Sequence, residues 1–433
     1  MHEMFKYIGI KSIDELFEDI PKEIRINGLD LDEAKEEMEV EHEIKKILEK
    51  NKSFFDMPSF LPIIKPHYVP AAVEEIVGRQ EFYTSYTPYQ AEASQGILQA
   101  MFEYQSVICE LTGMDAANVS MYDSASALGE AVLMAYRLKK KKKIVIPSNI
   151  FWHKKSVLKN YVKGIGIEIV EVNYDEEGRM NLDIYEKDVA AIYIENPNFF
   201  GVMEQRYDKI KEMKERNDAL LIAGVDVLHL AIFNPPSYYG ADIVIGEGYF
   251  GNFMNFGGPL LGIFACRKEF LRQMPGKIVG MTTDRKGKRA FCLTLQTREQ
   301  HIRRSKATSN ICSNEALCCI AFLAYVALLG RNGLRRVALK NMENARYMAN
   351  KLEKIGFKIP YKNFFNEFVA ISPIDAKKLN EKLYERGIQG GLILNEIKNG
   401  ILFGLTEMHS KKIIDFVVNS IKEIVEEKND GKI

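Results

Sequence analysis

The sequence has 433 residues, enough for two or three domains of about 150 residues each, and 46% of them are hydrophobic. This composition excludes a disordered or collagen-like chain and permits a large buried core. Lysines and arginines number 59, as do aspartates and glutamates, so the formal net charge is zero; this balance argues against a dedicated nucleic-acid-binding protein, which needs a basic surface.

The six cysteines form no CxxC pair with the spacing of metal ligands. Most of them lie in apolar or mixed runs, which indicates reduced thiols in a cytosolic protein. Residues 1–21 mix charged and apolar side chains and lack the apolar core of a signal peptide. No window of about 18 uncharged apolar residues occurs, so we expect no membrane span. These features predict a cytoplasmic protein without a metal site and without nucleic-acid or membrane partners.

In chain order, the first predicted part is a helical arm, residues 1–60, in which apolar residues recur at roughly helical spacing between residues 31 and 50. From about residue 90 to 270, short apolar runs alternate with helical patterns. This alternation is typical of a mainly parallel sheet covered by helices on both faces. The strands are expected at 143–147, 167–172, 189–194, 220–224 and 243–246, and the helices at 93–113, 124–138, 153–164 and 205–217.

The last hundred residues follow another pattern. It predicts a long helix at 331–355, strands at 368–372 and 400–404, and helices at 375–386 and 410–427. Two βα pieces packed together form a compact second domain. We therefore divide the chain into the helical arm, a large doubly wound α/β domain at 61–325 and a small C-terminal α+β domain at 326–433.

The segment 81–96, EFYTSYTPYQAEASQG, concentrates tyrosines, hydroxyl residues and glutamines. Such a stretch cannot be buried unless every polar group finds a partner. It therefore either lines a small-molecule pocket or forms an ordinary polar loop before a helix. The composition leaves both alternatives open.

The segment 120–131 passes from a strand-like end through small residues into a helix. Backbone N–H groups at a helix start bind anions, and Ser124 and Ser126 add hydroxyl donors. The simpler alternative is N-capping by Asp123 or Ser124, and the sequence by itself favours capping.

Two strand ends carry polar residues. Asn196 follows the strand 189–194, where open α/β sheets bind ligands, although Asn-Pro and Gly201 also suit a plain loop. Asp226 lies at the end of an apolar run and needs a partner for its carboxylate. It either neutralises the protonated ring nitrogen of a pyridine cofactor, as in pyridoxal phosphate sites, or caps the next turn.

Two further segments carry weaker signals. The glycine-rich segment 246–259 has neither a dinucleotide-binding fingerprint nor a P-loop pattern. The segment 295–314 places several arginines and a lysine before a Thr-Ser-Asn turn. It is either an anion-binding corner or a solvated basic loop that caps the following apolar helix.

Taken together, EFYTSYTPYQAEASQG, YDSASALGEA, NPNFFG, FGGPLLG and TREQHIRRSKATSNICSN resemble the P-protein family of the glycine cleavage system in order and spacing, over about residues 1–425. Within the family the chain is similar to the alpha subunits, or first subunits, of the two-subunit form. The segment 60–67 departs from the glycine-rich stretch expected there. The resemblance implies the fold of type I pyridoxal phosphate enzymes. It also implies the net reaction, in which glycine loses CO2 and its aminomethyl group passes to the lipoyl arm of H-protein.

Pyridoxal phosphate requires a lysine for its Schiff base. In a type I fold this lysine follows the strand after the one that ends in Asp226, which places it near residues 243–251. Residues 215–267 contain no lysine, and Lys268 comes too late. We therefore expect the partner beta subunit to hold the cofactor covalently, and we assign no catalytic residue to this chain.

Type I enzymes are dimers in which each site borrows loops from its neighbour, so the resemblance implies that this chain donates loops to the beta-subunit site. The implied residues are Tyr86, Thr87, Tyr89 and Gln90 at the substrate or lipoyl entrance, with Thr308, Ser309 and Asn310 near the cofactor phosphate. A vestigial cofactor site on this chain itself would comprise Ser124, Ser126, His153, Asn196 and Asp226. His153 lies either near the ring face or simply at the surface.

Three alternatives remain. A self-sufficient pyridoxal phosphate transaminase or decarboxylase would need another lysine, and the gap at 215–267 opposes it. A non-catalytic scaffold would only stabilise the beta subunit and dock H-protein. A nucleotide-binding enzyme is disfavoured because no phosphate-loop motif occurs. The family also implies a heterotetramer of two alpha–beta pairs.

Overall fold

The computed structural model describes residues 2–26, 28–253 and 258–429. The chain divides into a unit ending at Ser53 and a unit beginning at Phe54. The first unit contains α1 (His2–Ile8), two short 3-10 helices and α2 (Glu37–Leu48). The helix expected between residues 31 and 50 is α2, which is shorter than expected because it begins only at Glu37. No described residue of this unit is fully buried, so the unit has no apolar core of its own.

A seven-stranded sheet forms the centre of the second unit. Its strands are β1 (Ala116–Ala117), β2 (Lys143–Pro147), β3 (Glu168–Val172), β4 (Val189–Asn196), β5 (Leu220–Asp226), β6 (Ile243–Glu247) and β7 (Gly262–Cys266). They lie in the order β1-β7-β6-β5-β4-β2-β3. The five strands from β6 to β3 in this order are mutually parallel, whereas β7 runs antiparallel to β6 and to β1.

Helices cover both faces of this sheet. They are α3 (Ala71–Val77), α4 (Gln95–Thr112), α5 (Ser124–Lys139), α6 (Trp152–Lys163), α7 (Tyr207–Arg216), α8 (Val227–Leu230) and α10 (Ala316–Lys354). The four-residue helix α9 (Gln300–Arg303) is exposed and precedes α10. Successive strand residues point to opposite faces. Ile222 therefore packs with α5 and α6, while Leu221 and Ala223 pack with α4, α7 and α10. Burial on both faces explains why β2, β4, β5 and β6 are largely apolar runs.

Two smaller sheets complete the unit. A hairpin pairs β8 (Ile278–Thr283) with β9 (Arg289–Thr294). An antiparallel sheet in the order β10-β12-β11 comprises β10 (Glu367–Ile371), β11 (Leu392–Ile393) and β12 (Gly400–Gly404). Its core includes apolar residues of α11 (Ala376–Glu385), α12 (Lys411–Asn429) and the C-terminal half of α10, together with Phe60.

Within the described residues, α10 is the one helix long and apolar enough, by length and composition, to be compared with a membrane span. Half of its most apolar window is buried in the protein. Gly330 interrupts the helix with φ 59° and ψ −177°, a conformation that glycine adopts without a steric penalty. The first helical stretch is thus shorter than the ~20 residues that cross a bilayer. α10 packs as a core helix, and only its second half coincides with the predicted helix at 331–355.

The structure confirms the predicted doubly wound α/β fold with a smaller antiparallel sheet. Every strand predicted between residues 143 and 246 is present. β2, β4, β5 and β6 are short apolar runs buried on both faces, whereas the edge strand β3 is only partly buried and carries exposed Glu168 and Glu171. The sequence did not reveal β1, β7, β8, β9 and β11. β8 and β9 mix polar and apolar residues, and their outer positions are exposed, so their pattern does not stand out from that of a loop.

Candidate functional site

A cavity of about 180 Å³ lies at the carboxyl ends of β4, β5 and β6. Ligands of open α/β sheets bind at this edge. Its polar lining comes from the start of α5, the first turn of α6, the ends of the three strands, the segment before α3 and the first residue of β10, Glu367. The described lining side chains used below are Lys65, Ser124, Lys154, Glu195, Asp226 and Glu247.

Asp226 ends β5 and faces this cavity. Its Oδ1 accepts hydrogen bonds from the backbone N–H groups of Leu228, at 2.8 Å, and His229, at 3.3 Å. These bonds cap the short helix α8, so the capping role considered from the sequence is realised. The second oxygen, Oδ2, lies 3.6 Å from the Nζ atom of Lys65. The carboxylate therefore has a cationic partner within the chain.

Lys65 is almost completely buried, with 3% of its surface exposed. Its Nζ atom donates a hydrogen bond of 2.8 Å to Glu367 on β10, and the same Glu367 oxygen accepts the backbone N–H of Ile63 at 2.6 Å. Burial alone would lower the pKa of Lys65. The carboxylates of Glu367 and Asp226 outweigh burial and raise this pKa, so the buried amine is an ammonium.

The start of α5 is capped in the way the sequence favoured. Asp123 accepts the N–H of Ser126 at 2.6 Å, and the hydroxyl of Ser126 accepts the N–H of Asp123 at 3.2 Å. This reciprocal capping box uses the Ser126 side chain. The backbone N–H of Ser124 donates instead to Oε2 of Glu247, at 2.9 Å.

Glu247 ends β6 and lies at the cavity wall. Its other oxygen, Oε1, accepts the N–H of Leu261 at 2.7 Å. Burial raises the pKa of Glu247 to about 7, although the two backbone donors favour the ionised form. The carboxyl group of Glu247 thus accepts the Ser124 N–H, one of the donors at the start of α5 that could otherwise bind an anion.

His153 and Asn196 occupy different positions relative to the cavity. His153 lies in the first turn of α6, lines the cavity and is exposed to solvent. Asn196 is buried, and its amide forms a reciprocal pair with the backbone of Glu204 at 2.9 and 3.0 Å. Its neighbours Glu195 and Pro197 line the cavity, and Asn196 does not.

The residues assigned to loop donation lie outside this cavity. Tyr86, Tyr89 and Gln90 are exposed, whereas Thr87 is buried and its hydroxyl lies 2.9 Å from that of Ser313. Thr308, Ser309 and Asn310 line a separate groove of about 570 Å³ between α5 and the segment before α10. Burial raises the pKa of Glu130 in this groove, and a hydrogen bond from Ser309 opposes that rise.

A buried ion pair joins the two predicted loop segments. Lys277 lies before β8 and pairs with Glu299, and its Nζ atom also lies 3.1 Å from the hydroxyl of Tyr89. The ring of Tyr89 contacts that of His301, with centroids 5.7 Å apart. Together with Thr87 and Ser313, these contacts hold the segment 86–90 against the segment 296–313. The structure thus brings the two predicted segments together at one surface.

Residues 254–257 of the glycine-rich segment lie outside the described residues. Among the residues that are described, no group of three or more histidines, cysteines, aspartates and glutamates has the geometry of a metal site.

A family model described as the glycine cleavage system P-protein matches residues 1–421. The chain belongs to the glycine cleavage system P-protein family. A relative from Saccharolobus islandicus is 48% identical over 98% of this chain and 96% of its own length. It is called "Probable glycine dehydrogenase (decarboxylating) subunit 1". A relative of the same name from Pyrococcus horikoshii is 45% identical over 98% of this chain and 97% of its own length.

Solved structures agree with this P-protein assignment. A crystal structure of glycine decarboxylase, the P-protein of the glycine cleavage system, in inhibitor-bound form, is 38% identical with a TM-score of 0.92. The match covers 98% of this chain and 97% of that chain. A cysteine desulfurase from Thermococcus onnurineus has a TM-score of 0.62 at 14% identity, over 86% of this chain and 97% of its own, and shows the fold alone. The expected type I fold and the expected enzyme-subunit family are confirmed.

The cavity of this P-protein family member does not fit a covalently held pyridoxal phosphate. Residues 215–267 supply no lysine. Asp226, which would face the ring nitrogen, is paired with Lys65, and the Ser124 N–H, which would face the phosphate, is bound by Glu247.

Sequence reasoning missed Lys65, Glu247 and Glu367. Lys65 carried one signal, a lone charge within the apolar and proline-containing run FLPIIKPH. Glu247 ends an apolar strand, as Asp226 does, and the same need for a partner applies to it. Glu367 carried no comparable signal, because its role depends on a contact with a residue about three hundred positions away.

Proposed function

We propose that this chain is the subunit without a covalent cofactor in a two-subunit glycine dehydrogenase (decarboxylating). The assembled enzyme removes CO2 from glycine and passes the aminomethyl group to the lipoyl arm of H-protein. The observation that carries this proposal is the absence of any lysine from residues 215–267, where a type I enzyme needs one. The chain alone is then inactive.

The partner beta subunit holds pyridoxal phosphate through its own lysine in this proposal. The bound cofactor supplies the electron sink that makes loss of CO2 from glycine feasible. The pairing of Asp226 with Lys65 supports this division, because the carboxylate suited to the ring nitrogen is already neutralised in this chain.

Our proposal gives this chain the role of donating loops to the beta-subunit site. Tyr86, Thr87, Tyr89 and Gln90 form the entrance for substrate or lipoyl arm, and Thr308, Ser309 and Asn310 approach the cofactor phosphate. Two observations support this role. The segments are fixed to one another through Tyr89, Lys277 and Glu299, and none of the seven residues lines the chain's own cavity.

The assembly is proposed to be a cytoplasmic heterotetramer of two alpha–beta pairs. The subunit name of the relatives implies a second subunit.

The test of the function combines this chain, its partner subunit and lipoylated H-protein, and follows the glycine-dependent exchange of CO2. We expect exchange only when both subunits are present. Exchange by this chain alone would instead indicate a self-sufficient enzyme.

Loop donation is tested with Thr308→Ala in the assembled complex. Loss of a hydrogen bond to a charged group costs about 1.5–3 kcal/mol, so the complex should hold pyridoxal phosphate about tenfold or more weakly. Thr283→Ala is the matched control, because Thr283 is an exposed threonine at the end of β8. Unchanged cofactor affinity in Thr308→Ala would contradict the assignment.

The same variants separate loop donation from a scaffold role. If the loop is donated to the site, the complex that carries the loop variant should bind the cofactor more weakly or turn over more slowly. It should still assemble, as measured by its mass in solution. If the chain is only a scaffold, the loop variants should assemble poorly with the beta subunit. The complex that does form should then have normal turnover.

A further inference from the structure

The cavity at the ends of β4, β5 and β6 carries two groups suited to hold pyridoxal phosphate, and both are bound by side chains of the same chain. Asp226 faces Lys65, and the N–H of Ser124 faces Glu247. We propose that Lys65 and Glu247 close this cavity to pyridoxal phosphate by taking the places of its pyridinium and phosphate groups. This inference goes beyond loop donation, because it concerns the chain's own cavity.

Lys65 matches the cofactor's cationic group in charge. A pyridine cofactor presents a protonated ring nitrogen to an aspartate, and Lys65 presents an ammonium to Asp226 at 3.6 Å. The ammonium also donates to Glu367 at 2.8 Å, and its side chain is only 4% exposed. Displacing Lys65 would leave Glu367 as a buried carboxylate without its cation, which is strongly unfavourable.

Glu247 takes the place of the phosphate as a hydrogen-bond acceptor. Its two oxygens accept the N–H groups of Ser124 and Leu261, so the start of α5 no longer offers the Ser124 N–H to a phosphate. The hydroxyl of Ser126 is engaged in the capping box with Asp123. A phosphate monoester carries a charge of about −1.5 to −2 at neutral pH. Placed at this helix start, it would lie against the carboxyl groups of Glu247 and Asp123.

The segment that carries Lys65 is anchored on both sides. The backbone of Phe60 donates to Gln389 O and accepts from Gly404 N, each at 2.9 Å. Beyond the lysine, Nε2 of His67 accepts the N–H of Gly251 at 3.1 Å. These bonds tie the segment to the small sheet and to the turn after β6, so the ammonium is held in place by the fold.

The cavity offers no spare lysine or arginine among its described lining residues. Besides Lys65 these include Lys154, whose Nζ atom pairs with Glu195. The hydroxyl of Tyr193 donates to the same Glu195 oxygen at 2.6 Å. Each lysine is thus neutralised locally, and a phosphate would find no unpaired lysine or arginine there.

The first measurement is pyridoxal phosphate binding to the full-length chain purified without its partner, by equilibrium dialysis with detection of cofactor absorbance. We expect no saturable binding. Borohydride reduction followed by peptide mapping should find no cofactor on Lys65 or Lys154. Saturable binding, or a label on either lysine, overturns the proposal.

The second measurement uses Lys65→Ala/Glu247→Ala, which vacates both places at once. This double variant should bind pyridoxal phosphate at least about tenfold more tightly than the control, a difference of about 1.4 kcal/mol. The control is Lys154→Met, which removes a cavity lysine but leaves Asp226 and the Ser124 N–H with their partners. Equal binding by the two folded variants overturns the proposal.

Circular dichroism checks that the variants fold. Should the double alanine variant fail, Lys65→Met/Glu247→Ala retains more of the lysine's volume and is judged by the same tenfold criterion. The borohydride labelling uses the unaltered chain, so it tests the proposal even if no variant folds. Because these measurements use the isolated chain, their outcome is independent of the Thr308→Ala test in the complex.

Discussion

At the scale of single residues, the buried histidines make the protein sensitive to acid. His409 is fully buried, and its Nδ1 accepts the backbone N–H of Thr406 at 2.9 Å. Its Nε2 therefore carries the proton and donates to Ser59 O, also at 2.9 Å. Burial lowers the pKa of His409 from 6.5 to about 4, so the native ring is neutral at physiological pH.

This lowered pKa predicts how stability depends on pH. The unfolded chain takes up a proton near pH 6.5 and the native chain only near pH 4. The stabilisation is therefore complete above pH 6.5 and is lost as the pH falls towards 4, by about 3 kcal/mol. His409→Gln should lower stability at pH 7 but should show a decrease on acidification that is smaller by about that amount. Urea unfolding at both pH values measures this difference.

The control for His409→Gln is His42→Gln, because His42 is exposed on α2. It should leave the pH profile as in the unaltered protein. A profile for His409→Gln that parallels the control would show that burial does not shift the pKa of this histidine.

Glu247 affects stability in the opposite sense. Its raised pKa adds stability at low pH, and this stability is lost as the pH rises towards 7.

At the scale of elements, α4 fixes the hairpin β8–β9 through two glutamine side chains. The amide of Gln105 donates to Val279 O at 3.0 Å and accepts Val279 N–H at 2.8 Å. The amide of Gln95 pairs in the same way with Phe291, at 2.8 and 2.9 Å. Each glutamine replaces a neighbouring strand for one residue of the hairpin.

Replacing Gln105 by leucine leaves two buried backbone groups of Val279 without partners. We expect Gln105→Leu to lower the free energy of unfolding by about 2–3 kcal/mol, measured by urea denaturation. Gln99→Leu is the matched control on the same helix, since Gln99 bonds only to the exposed Glu103 side chain in the contacts described. It should change stability by no more than about 0.5 kcal/mol. Equal effects of the two substitutions would refute the role of Gln105.

The elements also show what the sequence could and could not reveal. A buried parallel strand such as Lys143–Pro147 is predicted with its observed bounds, because burial on both faces requires a continuous apolar run. The hairpin β8–β9 depends on side chains of α4, about 170–200 positions earlier, and no local pattern reports such a contact. In the same way, Asp226 was predictable as a carboxylate needing a partner, whereas its partner Lys65 was not.

At the scale of the whole molecule, the proposed division of labour sets the cofactor content. The assembled complex, dialysed to constant composition, should contain one pyridoxal phosphate for every two chains. This ratio follows from the proposal, because residues 215–267 contain no lysine and because Asp226 and the Ser124 N–H already have partners within the chain. Measurement of cofactor absorbance against protein concentration gives the ratio directly. A ratio of one per chain would contradict the division.

The pairing of Lys65 and Glu247 also constrains how this chain can change over generations. A mutation that returned a lysine to the end of β6 would restore the nucleophile but not the room or the charge that the cofactor needs. Under the proposed closure, recovery would require at least three substitutions, because a new lysine would have to be joined by replacements of Lys65 and Glu247. The proposed closure therefore predicts that a single substitution cannot make this chain independent of its partner subunit.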